Sequence, residues 1–196
     1  MIYRRCFHNF LRFTLICFLL LLVSSCDYYN TLKIRSMVKH EYGKVLDFSW
    51  AGYQILEDTL FPCFEINKPI TIVSHIDDKL CPECFANYLR AAEKYVNQFH
   101  TDSIQYVCIA YPRPVDRLQY ALSLAEIDSS KVMVVYDLEN KYLTRNSIAK
   151  LSSGYNAFLI DEKQKIILLG DPIRSQSMYD LCKKQIQELL EDYRKR

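Results

Sequence analysis

Apolar and polar positions along this chain change period several times, and the changes divide it into elements. Ile70-Thr71-Ile72-Val73-Ser74-His75-Ile76 is a β-branched, nearly continuous apolar run, the pattern of a strand covered on both faces. After it, Phe85, Tyr88, Leu89, Ala92, Tyr95, Val96 and Phe99 recur at i, i+3, i+4, i+7, with Arg90, Glu93, Lys94 and Asn97 opposite. That spacing predicts one long helix with a buried stripe. Ile104–Ala110 reads as a second core strand, and a strand–helix–strand unit of this length closes as a right-handed parallel crossover. Beyond Tyr111-Pro112-Arg113-Pro114, residues Val115–Ile127 have helical spacing through Leu118, Leu122 and Ala125, and Lys131–Tyr136 is a third strand ending at Asp137. Ala157–Asp161 and Lys165–Leu169 flank Glu162-Lys163-Gln164 as a hairpin, and a helix from about Ser177 to Tyr193 closes the chain. Upstream, Lys44–Phe48 and Tyr53–Leu56 alternate on either side of Gly52 and predict a preceding hairpin. The order β-α-β-α-β-β-β-α implies an α/β domain, a mixed sheet with helices on both faces and a short N-terminal β extension.

The first 25 residues follow a different rule. Arg4, Arg5 and Arg12 precede the apolar run Phe13–Val23, and Ser24-Ser25 precede Cys26, the pattern of a signal peptide. Eleven apolar residues are short for a bilayer span, which takes about 20. Val23-Ser24-Ser25-Cys26 resembles the lipobox of bacterial lipoproteins, which implies cleavage before Cys26 and diacylglycerol on its sulfur. Acyl chains there would anchor the chain, each buried CH₂ contributing about 0.8 kcal/mol. The expected organisation is a signal peptide over 1–25, a membrane-proximal tether over 26–42 with partial helix around Thr31–His40, and one domain over 43–196. The expected location is the bacterial cell envelope, with the domain facing the periplasm or the cell surface.

Processing also simplifies charge and thiols. Loss of three arginines leaves 22 basic against 23 acidic residues, a net charge of about −1, and no basic stripe favours nucleic acid. Of the eight cysteines, Cys6 and Cys17 leave with the signal peptide and Cys26 is lipidated. Cys63, Cys81, Cys84, Cys108 and Cys182 remain, and an odd count argues against a pure disulfide scaffold. Cys108 lies in a strand pattern and Cys182 on the apolar face of the last helix with Met178, Ile186 and Leu189, so both read as buried small hydrophobes. Cys63, after Pro62, reads as a partly buried thiol.

Chemistry concentrates at Cys81-Pro82-Glu83-Cys84, between the first core strand and the first long helix. Proline suits the first helical position, because its missing N–H would have no partner there. Cys81 then becomes the N-cap, and residues three apart on a helix are close enough for a disulfide. Unpaired N–H groups and the positive end of the helix dipole favour a thiolate at Cys81, which makes it the nucleophile. Cys84, one turn inside and expected to be more buried, is the resolving thiol. Glu83 opposes a thiolate at Cys81, while Lys79 favours it. Asp77 and Asp78 read as solvated loop acids, His75 as a core or edge histidine, and Trp50 as packing.

These residues resemble the thioredoxin-like superfamily, and most closely the TlpA-like thiol–disulfide oxidoreductases found among bacterial lipoproteins. The resemblance spans about Lys44 to Leu190. It rests on Ile70–Ile76 leading into Cys81-Pro82-Glu83-Cys84, on Phe158-Leu159-Ile160-Asp161 with Lys165-Ile166-Ile167, similar to the family's "FLID…GKI" hairpin, and on Gly43-Lys44-Val45-Leu46-Asp47-Phe48. It implies a thioredoxin-like sheet, Cys81 as attacking and Cys84 as resolving cysteine, protein or small-molecule thiols and disulfides as substrates, and no bound cofactor. A reducing role would need electrons from a membrane redox partner. Two positions depart from the family. Lys79-Leu80 stand where a tryptophan precedes the first cysteine. In Ser153-Gly154-Tyr155-Asn156-Ala157, Tyr155 falls where the family carries a cis-proline that receives substrate. A non-proline cis bond costs about 2.5–4 kcal/mol, so Tyr155 is expected to be trans and the substrate loop at Tyr155 and Asn156 to differ. That departure motivates an alternative, a non-enzymatic thioredoxin-like accessory lipoprotein with a structural CxxC disulfide. A third reading, a zinc or copper site using Cys81, Cys84 and Cys63 or His75, has only two ligands at suitable spacing, where structural zinc takes four.

Overall fold

The computed structural model describes residues 35–36, 38–51, 54–56, 59–61, 66–76, 80–111, 115–137, 139–148 and 157–195. The chain divides into two compact units, Met1–His40 and Glu41–Arg196. The signal-peptide segment and Cys26 lie outside the described residues. No helix among the described residues is long and apolar enough to cross a membrane.

The second unit is built on a five-stranded sheet. Its strands are β3 (Ile70–Ile76), β4 (Ile104–Ala110), β5 (Val132–Tyr136), β6 (Ala157–Ile160) and β7 (Ile166–Leu169), in the order β5-β4-β3-β6-β7. The pairs β3–β4 and β4–β5 are parallel, while β3–β6 and β6–β7 are antiparallel. The sheet is therefore mixed, as expected. All seven residues of β3 and of β4 are buried. A central position between two neighbours explains why β3 carries an unbroken β-branched run.

Alternation across β3 divides the core. Ile70, Ile72 and Ile76 join a cluster with Tyr106, Cys108, α1 (Pro82–Asn97), α2 (Val115–Ala125) and α4 (Gln176–Arg194). On the opposite face His75 stacks on Tyr142 of the short helix α3 (Lys141–Arg145), with ring centroids 5.7 Å apart. Helices thus cover both faces. α1 buries Phe85, Ala86, Tyr88, Leu89, Ala92, Tyr95 and Val96, the stripe that its spacing predicts. Burying one such leucine side chain contributes about 1.5–3 kcal/mol, and Leu89 is fully buried.

Three expectations are corrected. Lys44–Phe48 does not form a hairpin with Tyr53–Leu56. Gly43 N–H donates to Ile166 O, Ile166 N–H to Lys44 O and Leu46 N–H to Gln164 O, so this segment lies along the edge of β7. The chain then turns through a 3₁₀ helix, Ser49–Ala51, and β1 (Gln54–Leu56) pairs instead with β2 (Thr59–Phe61). The β extension exists, but its partner strand is local. The other two corrections are α3, which periodicity did not predict, and the exposure of Cys84. Five residues are too few to show a 3.6-residue period. α3 is held instead by Asp137, whose carboxylate accepts the Lys141 N–H at 2.7 Å and the Tyr142 N–H at 2.8 Å.

Candidate functional site

At the carboxyl end of β3 the chain enters α1 through Cys81. Cys81 has extended backbone angles, φ −66° and ψ 150°, and Pro82 begins the helix behind it. Its Sγ accepts the Cys84 N–H at 3.1 Å and its carbonyl accepts the Phe85 N–H at 2.9 Å. Cys81 is thus the N-cap, with sulfur in the place where a serine or aspartate oxygen usually accepts the orphan N–H. A thiolate there would receive the same hydrogen bond together with the favourable field of the helix start.

Cys81 and Cys84 are joined as a disulfide, with Cα atoms 5.1 Å apart. Both residues are exposed, as is Glu83. The greater burial expected for Cys84 is therefore not found. Cys84 shares the side of the helix that buries Tyr88 one turn later, yet burial of that side begins only at Phe85. Helical phase alone does not report where along a helix burial begins.

Below the disulfide lies a polar layer inside the apolar core. Tyr88, four residues after Cys84, donates its hydroxyl to Asp171 Oδ2 at 2.9 Å and lies 2.6 Å from the Tyr106 hydroxyl. Because the Tyr88 proton is committed to Asp171, Tyr106 is the donor in the second bond. Asp171 is 1% exposed, takes the Ile173 N–H on Oδ1 at 2.9 Å and pairs with Arg174 Nε at 3.3 Å. The Arg174 guanidinium also stands over the Tyr88 ring, 5.8 Å from its centroid. Burial raises the Asp171 pKa against the lowering effect of these donors. Burial likewise drives both phenols far above the ordinary tyrosine range. Ser74 Oγ lies beside the phenols and Cys108 without completing a hydrogen bond of good geometry.

The remaining thiols are of another kind. Cys108 and Cys182 are free and buried, as the sequence predicts. Burial pushes the Cys108 thiol up to about 12 and that of Cys182 up to about 11. His75 is buried on the far face, and Trp50 donates its indole N–H to Asp47 O at 2.9 Å. Asp77, Asp78, Lys79, Cys63, Arg113, Tyr155 and Asn156 lie outside the described residues. Sequence reading missed Asp171 because Gly170-Asp171-Pro172 has the composition of an ordinary turn. Its signal was the position, immediately after the hairpin strand that returns to the dithiol end.

No protein-family model matches the chain, and no curated protein matches it in sequence. Solved structures do match. A thioredoxin-like protein from Porphyromonas gingivalis superposes with a TM-score of 0.51 at 15% identity, covering 76% of this chain and 95% of that one. A thiol:disulfide interchange protein from Bacteroides sp. has a TM-score of 0.50 at 15% identity, covering 73% and 88%. A thioredoxin-like protein from Bacteroides caccae has a TM-score of 0.50 at 10% identity over 79% of this chain, which spans 55% of that protein's length. The fold is thioredoxin-like.

Proposed function

We propose that this thioredoxin-like chain is a thiol–disulfide oxidoreductase that exchanges disulfides through Cys81 and Cys84. The observation that carries the reading is an exposed disulfide closed across the first turn of α1, at the carboxyl end of the central strand. Open α/β sheets place their reactive groups at that end. In the reducing direction the Cys81 thiolate attacks a substrate disulfide. A Cys81–substrate S–S bond forms, the substrate's own S–S bond breaks, and one substrate sulfur leaves as a thiolate that takes up a proton. Cys84 then gives up its proton and attacks Cys81 Sγ. The Cys81–Cys84 bond forms as the mixed disulfide breaks, and the second substrate sulfur leaves and is protonated. Two electrons have passed to the substrate, and a further dithiol must restore the pair. The oxidising direction is the reverse.

The same reading includes a lipid anchor. Residues 1–25 act as a signal peptide, Cys26 carries the lipid, and residues 26–42 tether the domain outside the bacterial cytoplasm, where a membrane redox partner can reset it. Support comes from the sequence pattern around Cys26 and from the short apolar run before it.

Cys84→Ser tests the chemistry. The variant is expected to accumulate mixed disulfides through Cys81 that a reductant releases. A variant that traps nothing, together with a wild-type pair inert to reduced and oxidised glutathione, leaves only the structural-disulfide alternative. Radiolabelled palmitate incorporation, lost in Cys26→Ser, tests the anchor.

A further inference from the structure

The two edges of the sheet are finished differently. At β7 the segment from Gly43 to Leu46 completes the edge, through Gly43 N–H to Ile166 O and Leu46 N–H to Gln164 O. β5, at the other end of the order, pairs with β4 alone among the described strands. Tyr106 N–H donates to Lys131 O at 2.9 Å and Asp137 N–H to Ala110 O at 2.8 Å, so odd-numbered residues bond to β4 and even-numbered ones face away. The preceding turn takes up Val132 N–H, which donates to Asp128 O at 3.0 Å. Val132 O, Val134 N–H and Val134 O find no partner among the described residues. Such edge groups are a template for another strand unless charge, proline or a bulge blunts them. Val132-Met133-Val134-Val135-Tyr136 has neither charge nor proline, and its register against β4 runs without a bulge.

We propose that β5 is the surface at which two copies of this chain associate, pairing antiparallel about a two-fold axis at Val134 so that their sheets join into one. The occupant follows from the symmetry of the strand. With Val134 across from itself, each copy's Val134 N–H donates to the other's Val134 O, the reciprocal bonds of an antiparallel pair with Cα atoms about 5.5 Å apart. The same register sets Val132 across from Tyr136, a β-branched side chain against an aromatic one, and Met133 across from Val135. At the ends it sets Lys131 across from Asp137, so no like charges face each other. Both are already held in their own copy, Lys131 by Asp102 and Asp137 by the first N–H groups of α3, so the match removes repulsion rather than adding an ion pair. A patch that complements itself in this way closes as a dimer and does not propagate.

The dithiol takes no part in the join. β3, β4 and β5 run parallel, so the two-fold axis sets the two copies of β3 in opposite directions. Their carboxyl ends, and the Cys81–Cys84 pairs beyond them, stand at opposite ends of the joint sheet, with β4 and β5 between each β3 and the axis. The association is therefore independent of the oxidoreductase reading.

Sedimentation velocity of the full-length protein, with Cys81–Cys84 closed, from about 1 μM to about 500 μM brackets the affinities of weak interfaces. A reversible monomer–dimer equilibrium is expected across that range. Val134→Lys sets two like charges directly opposite at the axis and is expected to weaken association at least about tenfold, whereas Val134→Thr, still β-branched, is expected to leave it within about threefold. Monomer at every concentration overturns the proposal, with the strand of a different protein as the remaining occupant. Association that persists unchanged in Val134→Lys overturns it by placing the contact elsewhere. Val134 packs partly against the core, so a second readout uses the wild type alone. Hydrogen exchange resolved to single amides is expected to slow at Val134 by about tenfold between about 5 μM and about 500 μM, while Met133 and Val135, whose N–H groups bond to β4, stay constant. Exchange at Val134 that is the same at every concentration overturns the proposal.

Discussion

Reduction of the native protein followed by timed exposure to iodoacetamide at about pH 7.5 is expected to sort the described cysteines into two classes. Only thiolates react, and an unburied thiol with the ordinary pKa of about 8.5 is about one tenth ionised at that pH. Cys108, held near 12, is ionised to about 3 × 10⁻⁵, roughly three thousandfold less. Its thiolate is intrinsically more nucleophilic, and a Brønsted slope of about 0.4–0.5 returns some thirty- to fiftyfold of that loss. The net retardation from ionisation is about 50- to 100-fold for Cys108, and the same reasoning gives about 20-fold for Cys182, near 11. Burial slows both further, because the reagent must wait for an opening of the fold. Peptide-resolved mass spectrometry reads each site separately. Cys81 and Cys84 are expected to label first, Cys182 and Cys108 far later, and all of them together in denaturant. The pH dependence separates the classes again, since the rate at Cys108 is expected to keep rising tenfold per unit well past the pH at which exposed thiols level off. Cys108 labelling within tenfold of Cys81 or Cys84, under conditions where the fold is intact, refutes the reasoning.

Other consequences concern stability. Leu89→Ala empties a fully buried position beneath the dithiol helix and is expected to cost about 2–5 kcal/mol in a urea titration. Asp137→Ala strips both acceptors from the start of α3 and is expected to cost about 1.5–3 kcal/mol per lost bond at most, while Asp137→Asn retains part of it. Gly170 has φ +137°, and an added Cβ would meet the flexible end of Met178, which can move, whereas the backbone angle cannot easily adapt. Gly170→Ala is therefore expected to destabilise by about 1–3 kcal/mol, read as a lowered melting temperature. Asp171 has a folded pKa raised above its unfolded value, so the native state binds more protons between the two values. Its contribution is expected to favour folding below the unfolded value and to be lost as pH rises through the folded one. Asp171→Asn is expected to flatten that part of the stability profile, and an unchanged profile would contradict the assignment.

The sheet and its long helices were legible because their signals are long. β3 announces two-sided burial over seven residues, and α1 repeats its stripe over four turns. The dithiol was legible because its three-residue spacing and Pro82 already specify an N-cap geometry. Short-range features escaped. Lys44–Phe48 alternates like a hairpin strand, yet its partner is β7, more than a hundred residues away, and alternation carries no information about which edge a segment will join. α3 depends on one carboxylate rather than on a period. The Tyr88–Asp171 layer joins residues 83 apart, each unremarkable in its own segment. Buried polar pairings of this kind are decided by tertiary packing, which a single sequence does not display.

The Cys81–Cys84 bond spans only three residues of separation. In the chain-entropy account, closing so small a loop restricts the unfolded chain by only about 2 kcal/mol, against nearly 5 for a loop of a hundred residues. Opening the bond therefore withdraws less from folding than opening a long loop would, and the Phe85 N–H bond to the Cys81 carbonyl that begins α1 does not involve the sulfurs. By this account the bond can be made and unmade at the helix start with only a small change in the restriction of the unfolded chain.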